Sequence, residues 1–421
     1  MTAPTPPSAP ARLNDCSWLE RPATRTVFAA LAARGIAARA VGGAVRDAVL
    51  GRPVGDIDIA TPARPEEVMA AAAAAGLKAI PTGLAHGTVT VVADGEPYEI
   101  TTLREDVETD GRHATVAFTA DWAADARRRD FTLNALYCDA DGELYDPLGG
   151  WPDLTQRRVR FIGDARARIR EDYLRILRFC RLAAELGDGP LDQDGLTAAV
   201  AERAGLALLS PERVRAELLR LLAARRGPEL VRVMFDWGLI TLVLGLAVRP
   251  ALIERVAALE AALGLSADPV LRLAALAVET REDADHLRRR LRLANDEYAR
   301  LARVETGKGK LDPNLTEARQ KAVLYHAGRE AYGELALLDW ARSPAPPEDQ
   351  GWRRLWTLPA RWPAPRLALR GEDVVALGVP AGPRVGALLA QVEAWWVAGG
   401  FVADRAALLS KLKQLSAASE A

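Results

Sequence analysis

The sequence predicts an α+β head followed by a long all-helical remainder, and three observations support that fold class. Residues 25–165 alternate short β-branched runs (VGGAVRD, DIDIAT, TVTVVAD, YEITTL, LNALYCD, RVRFIG) with turns and helical patches. From about Ile169 the periodicity turns helical almost without interruption, as in EDYLRILRFCRLAAELG and PERVRAELLRLLAA. Residues 343–350 (SPAPPEDQ) and 356–366 then form a Pro-rich break before a last helical block. Within the helical part, Pro211 suits a first helical position with Ser210 as its N-cap. No internal repeat is present.

Composition narrows the class further. The chain has 421 residues, 49% apolar and 26% charged, the balance of a folded globular protein of about three domains. The Ala-rich run at 69–76 is far shorter than the ~20 apolar residues a membrane span needs. The first residues, MTAPTPPSAPARLND, carry no apolar export segment, so a disordered start over 1–24 and a cytoplasmic location are expected. Cys16, Cys138 and Cys180 have neither metal-ligand spacing nor a disulfide framework, which fits a reducing compartment. Net charge is −1, so no global field draws the chain onto nucleic acid. Six of the 55 basic residues are lysine, leaving 49 arginines, a skew that GC-rich codon usage accounts for. Residues 157–181 are different. They hold nine arginines against Asp164, Glu171 and Asp172, a positive band suited to a phosphate-rich partner.

The densest chemistry lies at 41–61, VGGAVRDAVLGRPVGDIDIAT. Asp56-Ile57-Asp58 reads as strand, and alternation puts both carboxylates on one face with Ile57 and Ile59 toward the core. Two adjacent carboxylates repel unless a cation joins them, and Mg²⁺, which takes oxygen ligands and substrate phosphates, suits the pair. Upstream, Gly42 and Gly43 precede a helix expected from about Ala44. Backbone N–H groups of such a turn approach a triphosphate closely at the helix N-terminus. Arg46, one turn in, adds a charge-assisted contact. A capped helix followed by a surface Asp pair is the alternative.

This stretch resembles the signature of the class II template-independent nucleotidyltransferases, the bacterial CCA-adding enzymes and related poly(A) polymerases of the DNA polymerase beta superfamily. The likeness continues in order. Residues 128–135, RRDFTLNA, are similar to the family's RRDFTxNA motif, 146–150 (DPLGG) to its DPxGG turn, and 171–175 (EDYLR) to its EDxxR element. Together these cover about residues 28–225. The resemblance implies a nucleotidyltransferase head, a small mixed sheet with flanking helices, followed by an all-α neck, body and tail. The divisions expected are 25–165 for the head, 166–235 for the neck, 236–345 for the body and 346–421 for the tail. It also implies Arg129 on the triphosphate and Asp130 near the ribose, where a carboxylate accepting from a 2′-OH favours ribonucleotides. A structural Arg–Asp pair closing the head is the alternative.

Asp172 and Arg175 are three apart on what reads as one helix, hence neighbours on one face. Cytosine and adenine each offer an amino group beside an acceptor nitrogen. A fixed Asp–Arg pair matches both bases and refuses uracil and guanine, so it would serve as a protein-borne template. An ordinary surface ion pair is the competing reading. Arg178 and Arg181 drift around the helix at ~100° per residue, so they cannot all touch the base; the resemblance implies that they help hold the nucleotide and its phosphates. Glu99, on an expected strand over 98–103, has the right type for a third active-site carboxylate, although a lone Glu on a strand is more often simply exposed. Residues 103–116 are polar, and they resemble the family's mobile loop as well as a plain surface hairpin. His86 and His113 have no metal-ligand spacing, and no His-Asp dipeptide occurs, so the phosphohydrolase domain of some relatives is not expected. In the tail, residues 373–396 read as helix, tight turn, helix. The turn resembles a tRNA-contacting element, and a hairpin packing its own Leu and Val fits as well.

The function implied is addition of C, C and A to the 3′ end of tRNA from CTP and ATP, with a two-metal Mg²⁺ site formed by Asp56 and Asp58. A poly(A) polymerase, an A-adding enzyme, or an RNA-binding protein with an inactive head are the alternatives. The C-terminal LSKLKQLSAASEA holds only two lysines, which favours CCA addition over a poly(A) polymerase with a basic tail.

Overall fold

The head is organised by one mixed sheet whose centre carries the DIDIAT segment. The computed structural model describes residues 9–110 and 113–418 and divides into two compact units, Met1–Gly245 and Leu246–Ala421. In the first unit the chain runs α1 (Pro22–Ala32), β1 (Arg39–Val41), α2 (Gly43–Val49), β2 (Asp58–Thr61), α3 (Pro65–Ala74), β3 (Lys78–Gly83), β4 (Thr88–Ala93) and β5 (Glu96–Thr102). The hairpin β6 (Arg104–Asp110) and β7 (His113–Phe118) follows, then α4 (Trp122–Arg127), β8 (Tyr137–Cys138), β9 (Leu144–Tyr145) and α5 (Trp151–Thr155). The seven-stranded sheet has the order β3-β4-β5-β2-β1-β8-β9, and β6-β7 stand apart as a two-stranded sheet.

Among the described residues only β2 and β5 pair in parallel, with Asp58 opposite Glu99 and Ile59 opposite Ile100. Because neighbours in register share a face, this fixes what each side of the sheet carries. Val89, Ile100 and Ile59 form a row across β4, β5 and β2, each at most 1% exposed. They belong to the core that α1 and α3 cover. Burying each contributes roughly 1.5–3 kcal/mol. The other face carries the row Glu99, Asp58, Val41 and Tyr137. Val41 and Tyr137 pack there with Ala60, Leu103 and Ala126, while the two carboxylates occupy the polar end.

Five sequence expectations about the fold need correction. Residues 9–24 are folded: Arg12 bridges Glu143, Leu13 N–H donates to Gly142 O at 2.9 Å, and Trp18 and Leu19 are buried. Asp56 sits on a bend, and β2 starts only at Asp58. The reason is strand pairing: Asp58 pairs with Val41, the last residue of β1, and Gly42 at φ +73° turns the chain away. Segment 158–163, expected as strand, makes one isolated bridge between Phe131 and Phe161. In 133–139, Tyr137–Cys138 alone is strand, since a 3-10 turn occupies Thr132–Asn134.

The last correction concerns 171–187. It is not one helix: α6 (Ala165–Glu171) stops, Asp172 is extended at φ −155°, and α7 (Leu174–Leu186) begins anew. The Asp172 carboxylate accepts from the Leu174 N–H at 3.1 Å, a local bond that competes with helix continuation. Tyr173 fits against Gly205, where any Cβ would lie 2.0 Å from its ring. The unit closes with α8 (Gln193–Ala201), α9 (Pro211–Ala223), α10 (Gly227–Asp236) and α11 (Leu239–Leu244). Ser210 precedes Pro211 as expected, without a side-chain cap.

The second unit is helical throughout its regular elements. A buried Arg272–Glu260 pair at 2.6 Å and parallel Trp340 and Trp352 rings at 6.1 Å lie inside it. Its last helices, Gly371–Val375, Pro383–Ala398 and Arg405–Ala418, share a core of Val374, Val379, Leu388, Val392 and Leu412. Residues 373–396 thus form the expected helix, turn and helix, packing their own apolar side chains. No helix of the described residues is long and apolar enough to cross a membrane.

Candidate active site

Register brings Asp58 and Glu99 side by side on adjacent strands. Asp58 keeps access to solvent, yet the protein around it desolvates its carboxyl and pushes the pKa up; Glu99 adds repulsion, Arg129 opposes it, and Asp56 adds more. Glu99 and Asp56 therefore both fall within electrostatic reach of Asp58, although Asp56 has left the strand. Among the described residues no three His, Cys, Asp or Glu side chains form a ready metal cage. Asp56 and Asp58 could hold Mg²⁺ together with substrate phosphates and water, since that ion takes one or two carboxylates instead of an all-protein shell.

Gly42 ends β1 and caps α2 with φ +73°, a conformation that favours glycine. A Cβ there would lie 3.7 Å from Arg129 Nη1, so the turn and that guanidinium are in close approach. Arg46 is only 11% exposed and pairs with Asp47 at 3.0 Å, while its Nη1 donates to Asn134 Oδ1 at 2.9 Å. Arg129 donates through Nε and Nη2 to Asp125 at 3.3 and 3.0 Å, and Nε also reaches Tyr137 Oη at 3.2 Å.

Arg129 and Asp130 do not pair with each other. Asp130 Oδ1 accepts from Phe131 N at 2.9 Å and Asn134 Nδ2 at 3.1 Å. Its Oδ2 accepts from Arg178 Nε at 2.7 Å, with Arg178 Nη2 in ion-pair contact at 2.6 Å. Those three bonds and the ion contact engage both oxygens, so the expected ribose contact would have to share an oxygen with them. Burial alone would raise the Asp130 pKa, but Arg178 and Asn134 outweigh it and hold the carboxyl below the usual range. A depressed carboxyl adds stability that is present above the unfolded value, near pH 4, and is lost as pH falls through the folded one. Asp130→Asn is expected to lower stability by roughly 3 kcal/mol at neutral pH and to flatten the acid limb below about pH 4. Thermal unfolding across pH measures both; an unchanged acid limb contradicts the assignment.

The neck arginines separate by role. Arg175, 14% exposed, pairs with Glu171 at 2.5 Å rather than with Asp172, and donates to Arg168 O at 2.7 Å and Arg128 O at 3.3 Å. This leaves its Nε–H and one Nη2–H without a partner among the described residues. Asp172 pairs instead with Arg213 of α9 at 2.6 Å, so the expected Asp172–Arg175 ion pair is corrected: the helix break turns the carboxylate away. Arg178 lies 3.6 Å from Glu217. Arg181 is 3% exposed and held by Glu217 and Glu185 at 2.5 and 2.6 Å, a buried strut between α7 and α9 rather than an open phosphate contact.

Sequence reading missed Asp125, Asn134, Tyr137, Arg213 and Glu217. The available signal was weak: Asn134 sits inside RRDFTLNA, and Arg213 and Glu217 lie four apart on α9, where side chains share a face.

A parallel strand pair bearing carboxylates, set beside a glycine turn that opens a helix, defines a nucleotidyltransferase head. Residues 38–160 match the Poly A polymerase head domain. The chain is 35% identical over 385 residues, 89% of its own length and 86% of the relative's, to the mitochondrial CCA tRNA nucleotidyltransferase 1 of Homo sapiens. It is also 35% identical over 351 residues to the CCA-adding enzyme of Geobacillus stearothermophilus, covering 82% of this chain and 85% of that one. The crystal structure of the Bacillus stearothermophilus CCA-adding enzyme in complex with CTP is similar with TM-score 0.72 and 31% identity, over 95% of this chain and 99% of that chain. The chain belongs to the CCA tRNA nucleotidyltransferase family.

Proposed function

We propose that this enzyme adds C, C and A to the 3′ end of tRNA from CTP and ATP, without a nucleic-acid template and with release of pyrophosphate. The observation that carries the reading is Asp58 and Glu99 in register beside the Gly42 turn and Arg129, in a chain that spans 86% of a CCA tRNA nucleotidyltransferase at 35% identity.

Asp56 and Asp58 are the proposed ligands of two Mg²⁺ ions, with Glu99 as the third active-site carboxylate. Bound with the triphosphate, Mg²⁺ supplies a lowered pKa at the primer's 3′-hydroxyl and charge neutralisation at the pyrophosphate. The chain's own groups do the rest by positioning and electrostatics. Gly43 presents its backbone N–H to the triphosphate, whereas the Gly42 N–H, expected there too, is committed to Leu136 O at 3.3 Å; Arg129 adds its uncommitted Nη1. Arg46 and Asp130 stand behind this surface, joined through Asn134. Asp130 in turn holds Arg178, and Arg181 braces α7 on α9.

Base choice falls to Asp172 and Arg175. The Asp172–Arg213 pair is 30% and 40% exposed on its two sides, so breaking it costs at most about 1 kcal/mol. The carboxylate is thus cheaply released to accept from a base amino group, while Arg175 offers its two remaining donors to the ring acceptors. The neck over 166–235, the body over 236–345 and the tail over 346–421 are proposed to hold the tRNA. A cytoplasmic location is part of the same reading, supported by the free Cys16, Cys138 and Cys180.

Equilibrium binding of the four ribonucleoside triphosphates in Mg²⁺ tests the base-selective site. CTP and ATP are expected to bind at least about tenfold more tightly than UTP and GTP. Equal affinity for all four contradicts it.

A further inference from the structure

We infer that Asp125 and Tyr137 are positioning residues that fix which edge of the Arg129 guanidinium faces the nucleotide. The inference rests on the proposed role of Arg129 at the triphosphate and extends it to two residues with no exposed surface of consequence. Asp125 is 2% exposed and Tyr137 0%. Tyr137 Oη donates to Asp125 Oδ2 at 2.8 Å and accepts from Arg129 Nε at 3.2 Å. Arg129 Nη2 donates to the same Asp125 oxygen at 3.0 Å. The three groups close a triangle on the Nε–Nη2 edge of the guanidinium. Its carbon also lies 5.3 Å from the centre of the Tyr137 ring, so the planar fork is held on one edge and one face.

What remains is Nη1, with no partner among the described residues, and this is the nitrogen that faces Gly42. The sheet explains the direction. Tyr137 and Asp58 both pair with Val41, one on each side of β1, so a guanidinium anchored over Tyr137 stands next to the carboxylate row. Arg129 accordingly opposes the upward shift of the Asp58 pKa. Burial keeps the Tyr137 phenol protonated, so its hydrogen stays available for Asp125 while its oxygen accepts from Arg129. A lysine at position 129 could not be held this way, because it has no second edge to anchor while the first faces a ligand.

The test uses the full chain and reads the ratio of CMP to CTP dissociation constants, which isolates the contribution of the outer phosphates. Tyr137→Phe keeps the ring and removes the oxygen. It is expected to lower the ratio about three- to tenfold while CMP affinity stays within about twofold. Arg129→Ala is expected to remove the same preference, and Tyr137→Phe in that background to add nothing further. An unchanged ratio in Tyr137→Phe beside a lowered one in Arg129→Ala overturns the positioning role alone. Independent, additive losses overturn it too, since Tyr137 would then not act through Arg129. An unchanged ratio in Arg129→Ala overturns the triphosphate reading and this inference together. Should Tyr137→Phe unfold, Asp125→Asn keeps the shape, removes the charge and is read the same way.

Discussion

Asp58→Ala is expected to lose nucleotide addition by about a thousandfold or more, with tRNA affinity unchanged within about twofold. The carboxylate pairs in register with Glu99 on the neighbouring parallel strand, and its pKa is pushed up by desolvation and then by that neighbour. Such crowding opposes folding, so removing Asp58 relieves repulsion and carries no stability penalty. Activity and stability should therefore move in different directions, which a residue kept only for packing would not do. Asp56→Ala is expected to abolish addition as well and to leave tRNA binding largely intact. Single-turnover extension and a tRNA binding isotherm, run on the same preparations, measure the two readouts. Retained turnover in Asp58→Ala removes the two-metal assignment.

The second large effect is on fidelity. Asp172→Ala is expected to reduce the preference of kcat/KM for CTP over UTP by about tenfold or more. The cytosine amino group then loses its acceptor, and uracil is no longer refused by two facing acceptors. Because the pair with Arg213 is partly solvated, losing it costs up to about 1 kcal/mol, and losing the cap on the Leu174 N–H costs about 1 kcal/mol more. Arg175 stays in place through Glu171 and the carbonyls of Arg128 and Arg168. The variant thus separates base selection from integrity of the neck. Misincorporation measured with each triphosphate in turn provides the check, and intact C and A selectivity in Asp172→Ala argues against a protein-borne template.

The parts of the site that were legible in the sequence are those set by near neighbours in the chain. Gly42 and Gly43 announce a turn into α2 because a positive φ and a helix start need those residues. The DIDIAT run announces β2, and YEITTL the strand that brings Glu99 to it, because alternation is a local pattern. The errors arose where a distant partner decides. Asp56 drops out of the strand because β1 ends at Val41, a fact of pairing that no local pattern carries. Asp172 breaks the helix because its own carboxylate caps Leu174 and its outer oxygen finds Arg213, 41 residues later. Arg129 and Asp130 are adjacent yet serve separate partners, Asp125 and Arg178, because the chain turns at the end of α4. Arg181 reads as one of a row of arginines, and only the carboxylates of Glu217 and Glu185 show that it is internal.

The most direct test of the whole assignment is extension of a tRNA transcript ending at its discriminator base. It would be incubated with Mg²⁺ and ATP, with or without CTP, and resolved at single-nucleotide length. The expected result is a product three nucleotides longer that forms only when CTP is present and then stops. A long ladder from ATP alone, a single A added only to transcripts already ending in CC, or no extension at all would each contradict CCA addition by this chain.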